Sequence, residues 1–260
     1  MSRNKMSVAV LVLSLFVLVW GNMGIALAMS GQEVIDRVKD EYGDFKSQVS
    51  QLNIKVYDKE RLINDWQVTL FTRSIDDKQQ SLLKFNSPKD VAGVGLLDLG
   101  EDLMYMYLPE FNNVRRIAGS AKNGSFMGTD FTYNDLSLIN YDTSDYDAKL
   151  IKEDNEFYEL ELCDRDKTDS SYAKIAMTVR KDDWFPVRLV FYNLDGKKQK
   201  ELVSYDVTPS GKYKYPKRLV MKDFLANHST EILIAEPEFD LDLRDDIFTT
   251  RTLQRSKIRY

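Results

Sequence analysis

His228 is the only histidine and Cys163 the only cysteine among 260 residues. A His/Cys zinc site, a CxxC redox pair and an intramolecular disulfide are therefore out of reach, and the lone thiol reads as a small buried hydrophobe. A carboxylate-only site for calcium or magnesium stays open. Asp240, Asp242, Asp245 and Asp246 lack the glycine and spacing of an EF-hand loop, however, and read as a solvated acidic face. A Ser-His-Asp site would have to use His228, which lies between Asn227 and Ser229 and between two strand patterns, as an exposed turn residue does. In Gly124-Ser125-Phe126-Met127-Gly128 the serine falls one place early for a nucleophile elbow. Gly93-Val94-Gly95 is followed by Gly100, two positions late for the dinucleotide fingerprint, and the residues after Gly95 alternate like a strand. No carboxylate pair stands out for glycoside hydrolysis. The sequence offers no catalytic residue, no metal ligand set and no cofactor motif.

The elements that carry these residues are mostly strands. Ser30-Gly31-Gln32-Glu33 is a capping box, and Val34, Val38 and Tyr42, with Ile35 alongside, recur at helical spacing, which predicts a helix from about Gly31 to Gly43. After Ser50 the period becomes two. Val68 to Arg73, Ser81 to Phe85, Gly93 to Leu99, Leu103 to Leu108, Phe157 to Cys163, Ala173 to Val179, Pro186 to Tyr192, Glu201 to Val207, Arg218 to Phe224 and Thr230 to Ile234 read as strands. Turns are expected at Gly100-Glu101-Asp102, Asp195-Gly196, Pro209-Ser210-Gly211 and Glu236-Pro237. Roughly ten strands with few helices predict a mainly β fold built on one large antiparallel sheet. Asn112 to Asp147, rich in Gly, Ser, Asn and Asp, breaks the rhythm. No linker divides the chain, so residues 29–260 are expected to form a single domain.

The N-terminus has Arg3 and Lys5 before an apolar run from Val8 to Trp20, then Ala26-Leu27-Ala28. This is the pattern of a secretory signal peptide over residues 1–28, cleaved after Ala28. Asn22 and Gly24 interrupt a span that would need about 20 apolar residues to cross a bilayer. Without the leader, 34 basic groups face 41 acidic ones, an acidic chain ill suited to nucleic acid.

The apolar alternation says more. In Leu103-Met104-Tyr105-Met106-Tyr107-Leu108 neither face is polar, whereas a sheet with one wet face alternates cleanly. Ile175, Met177 and Val179 share a face, as do Leu219 and Met221. Methionine suits surfaces that accept variable apolar partners. The alternatives are plain core packing or a curled sheet that too few helices can fill, leaving an apolar groove for a ligand. The candidate cavity residues are Leu83 and Phe85, Met104 and Met106, Ile175 and Met177, Leu219 and Met221, joined by Phe126, Met127 and Phe131 from the irregular stretch.

One run is more specific. Tyr107-Leu108-Pro109, Arg115-Arg116-Ile117-Ala118-Gly119 and Ser125-Phe126-Met127-Gly128-Thr129-Asp130-Phe131-Thr132-Tyr133-Asn134-Asp135-Leu136 closely resemble the outer membrane lipoprotein-sorting protein family of the LolA-like superfamily. Pro186-Val187-Arg188, Gly196, Phe248 and Leu253 match weakly downstream. The resemblance implies an unclosed β-barrel, a strongly curved antiparallel sheet of about eleven strands with a few helices over its concave face. It also implies a periplasmic, non-enzymatic carrier of lipoprotein acyl chains or lipid, served by an inner-membrane transporter and an outer-membrane acceptor. A related branch implies the alternative of an envelope lipid or lipoprotein sensor, or an accessory subunit of a lipid exporter. The superfamily's lipoprotein carrier is shorter, and the Asn112 to Asp147 stretch marks a separate branch. Phe126, Met127 and Phe131 are then either a lip at the cavity mouth or a plug that packs permanently on the sheet. Asp130 and Asp135 are expected to bond loop backbone or to pair with Arg115 or Arg116.

Overall fold

The computed structural model describes residues 29–75, 78–100, 103–139, 143, 145–165 and 170–260; the expected leader lies outside them. Helix α1 spans Gly31–Gly43. Its capping box is closed in both directions: Ser30 N–H donates to Glu33 Oε2 at 2.6 Å and Glu33 N–H to Ser30 Oγ at 3.2 Å, satisfying two donors that a helix start leaves orphaned. Val34, Ile35, Val38 and Tyr42 are all buried. Tyr42 anchors the far end, with its hydroxyl on Asp183 O at 2.5 Å and its ring edge-on to Phe185.

The fold is mainly β: one fourteen-stranded antiparallel sheet that does not close, with three short helices. Six strands form one wing: β1 (Ser47–Asp58), β2 (Arg61–Ile75), β3 (Lys78–Ser87), β4 (Gly95–Asp98), β5 (Met104–Leu108) and β6 (Asn113–Ile117). Seven form the other: β7 (Tyr146–Glu153), β8 (Phe157–Asp164), β9 (Lys174–Arg180), β10 (Pro186–Tyr192), β11 (Lys198–Ser210), β12 (Tyr213–Asp223) and β13 (His228–Ile234). Each wing is a meander, and β13 joins β1 to make the order 6-5-4-3-2-1-13-12-11-10-9-8-7. The two-residue β14 (Glu238–Phe239) pairs with the start of β1. Edges β6 and β7 stay apart, and the chain between them, including helix α2 (Tyr133–Ile139), passes from one edge to the other. Four strands stand outside the expected ten: the twelve-residue β1, the two-residue β14, and β6 and β7, of which β6 and the first residues of β7 lie in the stretch from Asn112. Pro209 and Ser210, expected in a turn, end β11, and the hairpin turns at Gly211, where φ is +60. Cys163 is half-buried on β8.

Alternation along β2–β5 sorts side chains between two apolar layers. Val68, Leu83, Phe85, Leu96, Met104 and Met106 join a large cluster that also takes Leu160, Met177 and Leu189 from the other wing. Side chains from both wings can meet only if the sheet curls around them. Phe71, Leu82, Leu97 and Tyr107 point the opposite way, into a second cluster with Ile247, Phe248 and Leu253 of the C-terminal segment. That segment contains helix α3 (Thr250–Leu253) and covers the outside of the wing. The two apolar faces of β5 are thus explained: Met104 and Met106 face the inside, Tyr105 and Tyr107 the C-terminal cover.

Candidate functional site

The inner layer encloses a hollow of about 150 Å³. Leu52 and Ile54 of β1, Leu189 of β10, Leu202 of β11 and Ile232 of β13 are among its walls. Strands repeat every two residues, so one face of the curled sheet supplies these aliphatic side chains. The polar lining residues Gln48, Gln79, Asp98 and Tyr213 stand at one rim, where β1, β3 and β12 begin and β4 ends.

The opposite end is stopped by the loop 125–132 and by α2. Ser125 and Thr132 form a bridge, Phe126 N–H donates to Phe131 O at 2.8 Å, and Thr129 N–H donates to Phe126 O at 2.9 Å. Between them Met127 and Gly128 are both left-handed, at φ +54 and +76, the geometry of a type I′ turn. Glycine takes it without cost, while Met127 is left half-buried at the tip. Phe126 and Phe131 turn inward and are 2% and 1% exposed. The Phe126 ring packs between Phe85 and Tyr133, at 6.0 and 5.7 Å between centroids. Both rings are packed inward on the sheet at this end of the hollow.

Two buried polar clusters fasten this loop and α2. Asp130 N–H donates to Thr230 Oγ1 at 2.9 Å, and the Thr230 hydroxyl donates back to Asp130 Oδ2 at 2.7 Å. His228 Nδ1 lies 2.8 and 2.9 Å from the two carboxylate oxygens. Burial pushes the Asp130 carboxyl above its ordinary value, against the opposing hydrogen bonds of Thr230 and His228. On α2, Asp135 accepts from Thr132 N–H at 2.8 Å and from the Tyr172 hydroxyl at 3.1 Å, with Lys200 Nζ at 3.4 Å. Burial, then the Asp135 charge, pushes the Tyr172 hydroxyl far up, so it stays a donor. These partners correct two expectations. His228 is a part-buried anchor rather than an exposed turn residue, and the side chains facing Asp130 and Asp135 are His228 and Lys200 rather than Arg115 or Arg116, while the expected bond to loop backbone is made by Asp135 at Thr132 N–H. No local spacing could have shown the side-chain pairs, since the partners are 98 and 65 residues apart.

A model for a family described as "Uncharacterized protein" matches residues 77–255, more than half of the chain. The chain belongs to that family. Its fold is that of the LolA-like superfamily. A domain from Vibrio parahaemolyticus named for outer membrane lipoprotein sorting superposes with TM-score 0.79 at 24% identity, over 86% of this chain and 98% of that one. A DUF1329 family protein from Desulfovibrio piger gives 0.78 at 24% identity over the same shares. A LolA superfamily protein from Nitrosomonas europaea gives 0.71 at 19% identity, over 86% of this chain and all of that one. No curated protein matches.

Within this LolA-like fold, Leu83, Met104, Phe126, Phe131 and Leu219 border the hollow. Phe85, Met106, Ile175, Met177 and Met221 belong to the same inner cluster, and Met127 packs against it, but none of the six borders the hollow. Leu189, Leu202 and Ile232 border it and were not singled out from sequence, although each lies in a stretch read as a strand. Among the described residues no helix is long and apolar enough to cross a membrane.

Proposed function

We propose that this chain is a non-enzymatic carrier that takes the acyl chains of lipoproteins or lipids into its hollow and moves them between envelope membranes. On this reading residues 29–260 work as one periplasmic unit once the leader has been removed, loaded by an inner-membrane transporter and emptied by an outer-membrane acceptor. The observation that supports it is an apolar hollow stopped at one end by a loop whose own phenylalanines, Phe126 and Phe131, border it.

Magnitudes favour a plug that yields. A dry cavity of about 150 Å³ holds a guest the size of benzene, so a full acyl chain must displace Phe126 and Phe131. Burying about fourteen methylenes at ~0.8 kcal/mol each gives on the order of 10 kcal/mol. Unburying two phenylalanines at about 1.5–3 kcal/mol each offsets less than that. The difference leaves binding favourable yet weak enough for release.

Delipidated protein titrated with myristate tests the reading. Stoichiometric binding is expected, weakened at least tenfold by Leu219→Trp, which fills the hollow, and followed by transfer to acceptor vesicles. Absence of binding in the wild type overturns the carrier reading, and binding without transfer replaces it with a sensor.

A further inference from the structure

Behind the plug, at the rim opposite the hollow's polar residues, lies a second recess of about 400 Å³, polar in character. The end of β12, the start of β13, the start of β11 and the segment before β9 supply Asp223, His228, Gln199, Lys200, Ser171 and Tyr172. The loop 125–132 is the partition. Its apolar side chains Phe126 and Phe131 border the hollow, Ser125, Asp130 and Thr132 border the recess, and Thr129 borders both. One strip of chain therefore separates an oily compartment from a polar one of the size range of small-molecule sites.

We propose that this recess is a head-group site, taking an uncharged, hydroxyl-rich head, a sugar or polyol, whose tail runs past the displaced partition into the hollow. The inference rests on the carrier reading and deepens it. Three polar groups on the recess wall have no protein partner among the described residues: the Ser171 hydroxyl, the Gln199 amide and the second ring nitrogen of His228, whose Nδ1 is held by Asp130. The Ser171 hydroxyl and the Gln199 amide each donate and accept, matching sugar hydroxyls, which also do both, and the free ring nitrogen of His228 adds one more polar position. The charges argue against an anionic head. Among the described residues of the wall Lys200 is the one lysine or arginine and is already engaged with Asp135, while Asp130 and Asp223 add negative charge. A phosphate or carboxylate would meet repulsion with no free cation among the described wall residues to offset it.

Three amphiphiles with the same ten-carbon tail separate head from tail: decyl glucoside, decylphosphocholine and decanoate, titrated by calorimetry below their micelle concentrations. The wild type is expected to bind the glucoside at least tenfold more tightly than either of the others. In Ser171→Leu/Gln199→Leu the glucoside falls to the level of decylphosphocholine while decanoate is unchanged. Should that double variant not fold, Gln199→Ala alone lowers the glucoside preference at least threefold. Equal affinity for all three heads in the wild type, or a preference that survives these changes, overturns the head-group site and leaves the carrier intact. Failure of all three to bind removes both.

Discussion

Lys200 Nζ stands 3.4 Å from Asp135 Oδ2, with both side chains buried, and so ties α2 to β11 across the inner face of the sheet. Taking two charges out of water is costly, and what makes the pair tolerable is that its neighbours satisfy it: Thr132 N–H and the Tyr172 hydroxyl on the carboxylate, the Tyr172 oxygen 3.1 Å from the ammonium. Lys200→Met leaves Asp135 charged and under-partnered, and should cost about 3–5 kcal/mol in urea denaturation. Adding Asp135→Asn, whose amide oxygen still accepts from Thr132 and Tyr172, should return at least half of the loss. A double variant no better than the single one would mean that packing, not charge, holds α2.

Lys84 gives a pH signature on the outer face. It lies between the inward Leu83 and Phe85, and its ammonium donates to Gly93 O and Leu253 O, both at 2.6 Å, beneath the C-terminal cover. Burial lowers it from the ordinary 10.5 to about 8. Between those values the unfolded chain holds a proton that the folded one has released, so stability rises with pH, by at most about 1.4 kcal/mol per unit. That gain is complete above the unfolded value and lost as pH falls through about 8. Denaturation at pH 7.5, 8.5 and 9.5 should show the rise in wild type and not in Lys84→Met. The variant should also be less stable throughout, since two buried carbonyls lose their donor.

Gly31 opens α1 where the helix meets the backbone of β7. A Cβ there would lie 2.5 Å from Leu150 N and 2.7 Å from Ala148 O, and backbone atoms cannot rotate away. Gly31→Ala should therefore lift α1 from the sheet and cost roughly 1–3 kcal/mol, although alanine is the better helix former. Ser30→Ala, which removes only the cap, should cost about 1 kcal/mol. Equal losses in the two variants would refute the close approach.

Legibility in the sequence followed the strength of local patterns. Helix α1 is readable to the residue because its cap, its 3.6-residue period and its terminal glycine agree. Strands β8 and β9 are readable to within a residue because they alternate clearly, and β10 because its apolar run is bounded by Pro186 and the turn at Asp195-Gly196. Four strands were not read: β1, in the middle of the sheet, the two-residue β14, and β6 and β7, the two edges. Arg115 and Arg116 on one, and Asp147, Lys149, Lys152 and Glu153 on the other, are the charges that discourage edge-to-edge pairing; on β6 they also erase the apolar alternation a reader looks for. The hollow was legible as a surplus of apolar faces, but part of that surplus belongs to Tyr105, Tyr107 and Leu97, which the C-terminal segment covers from outside. The buried polar clusters were illegible because Asp130 and Asp135 carry no mark of partners that arrive only when the sheet curls.

Thr230 offers the sharpest test of whether the plug opens. Its hydroxyl exchanges two hydrogen bonds with Asp130, at 2.9 and 2.7 Å, and the residue is fully buried on β13. Thr230→Val keeps the shape and deletes both bonds, leaving a buried N–H unsatisfied, at a cost of about 1–3 kcal/mol to the closed state. If an acyl chain binds only when the loop 125–132 has left its seat, this energy is one that ligand no longer has to overcome. A fall of 1–2 kcal/mol in stability should then appear as a gain in myristate affinity of roughly 5–30-fold at most. Denaturation and titration of the same variant would read the two sides together. An affinity that falls in step with stability would mean that the loop stays shut while ligand binds and that Phe126 and Phe131 are fixed walls of the hollow.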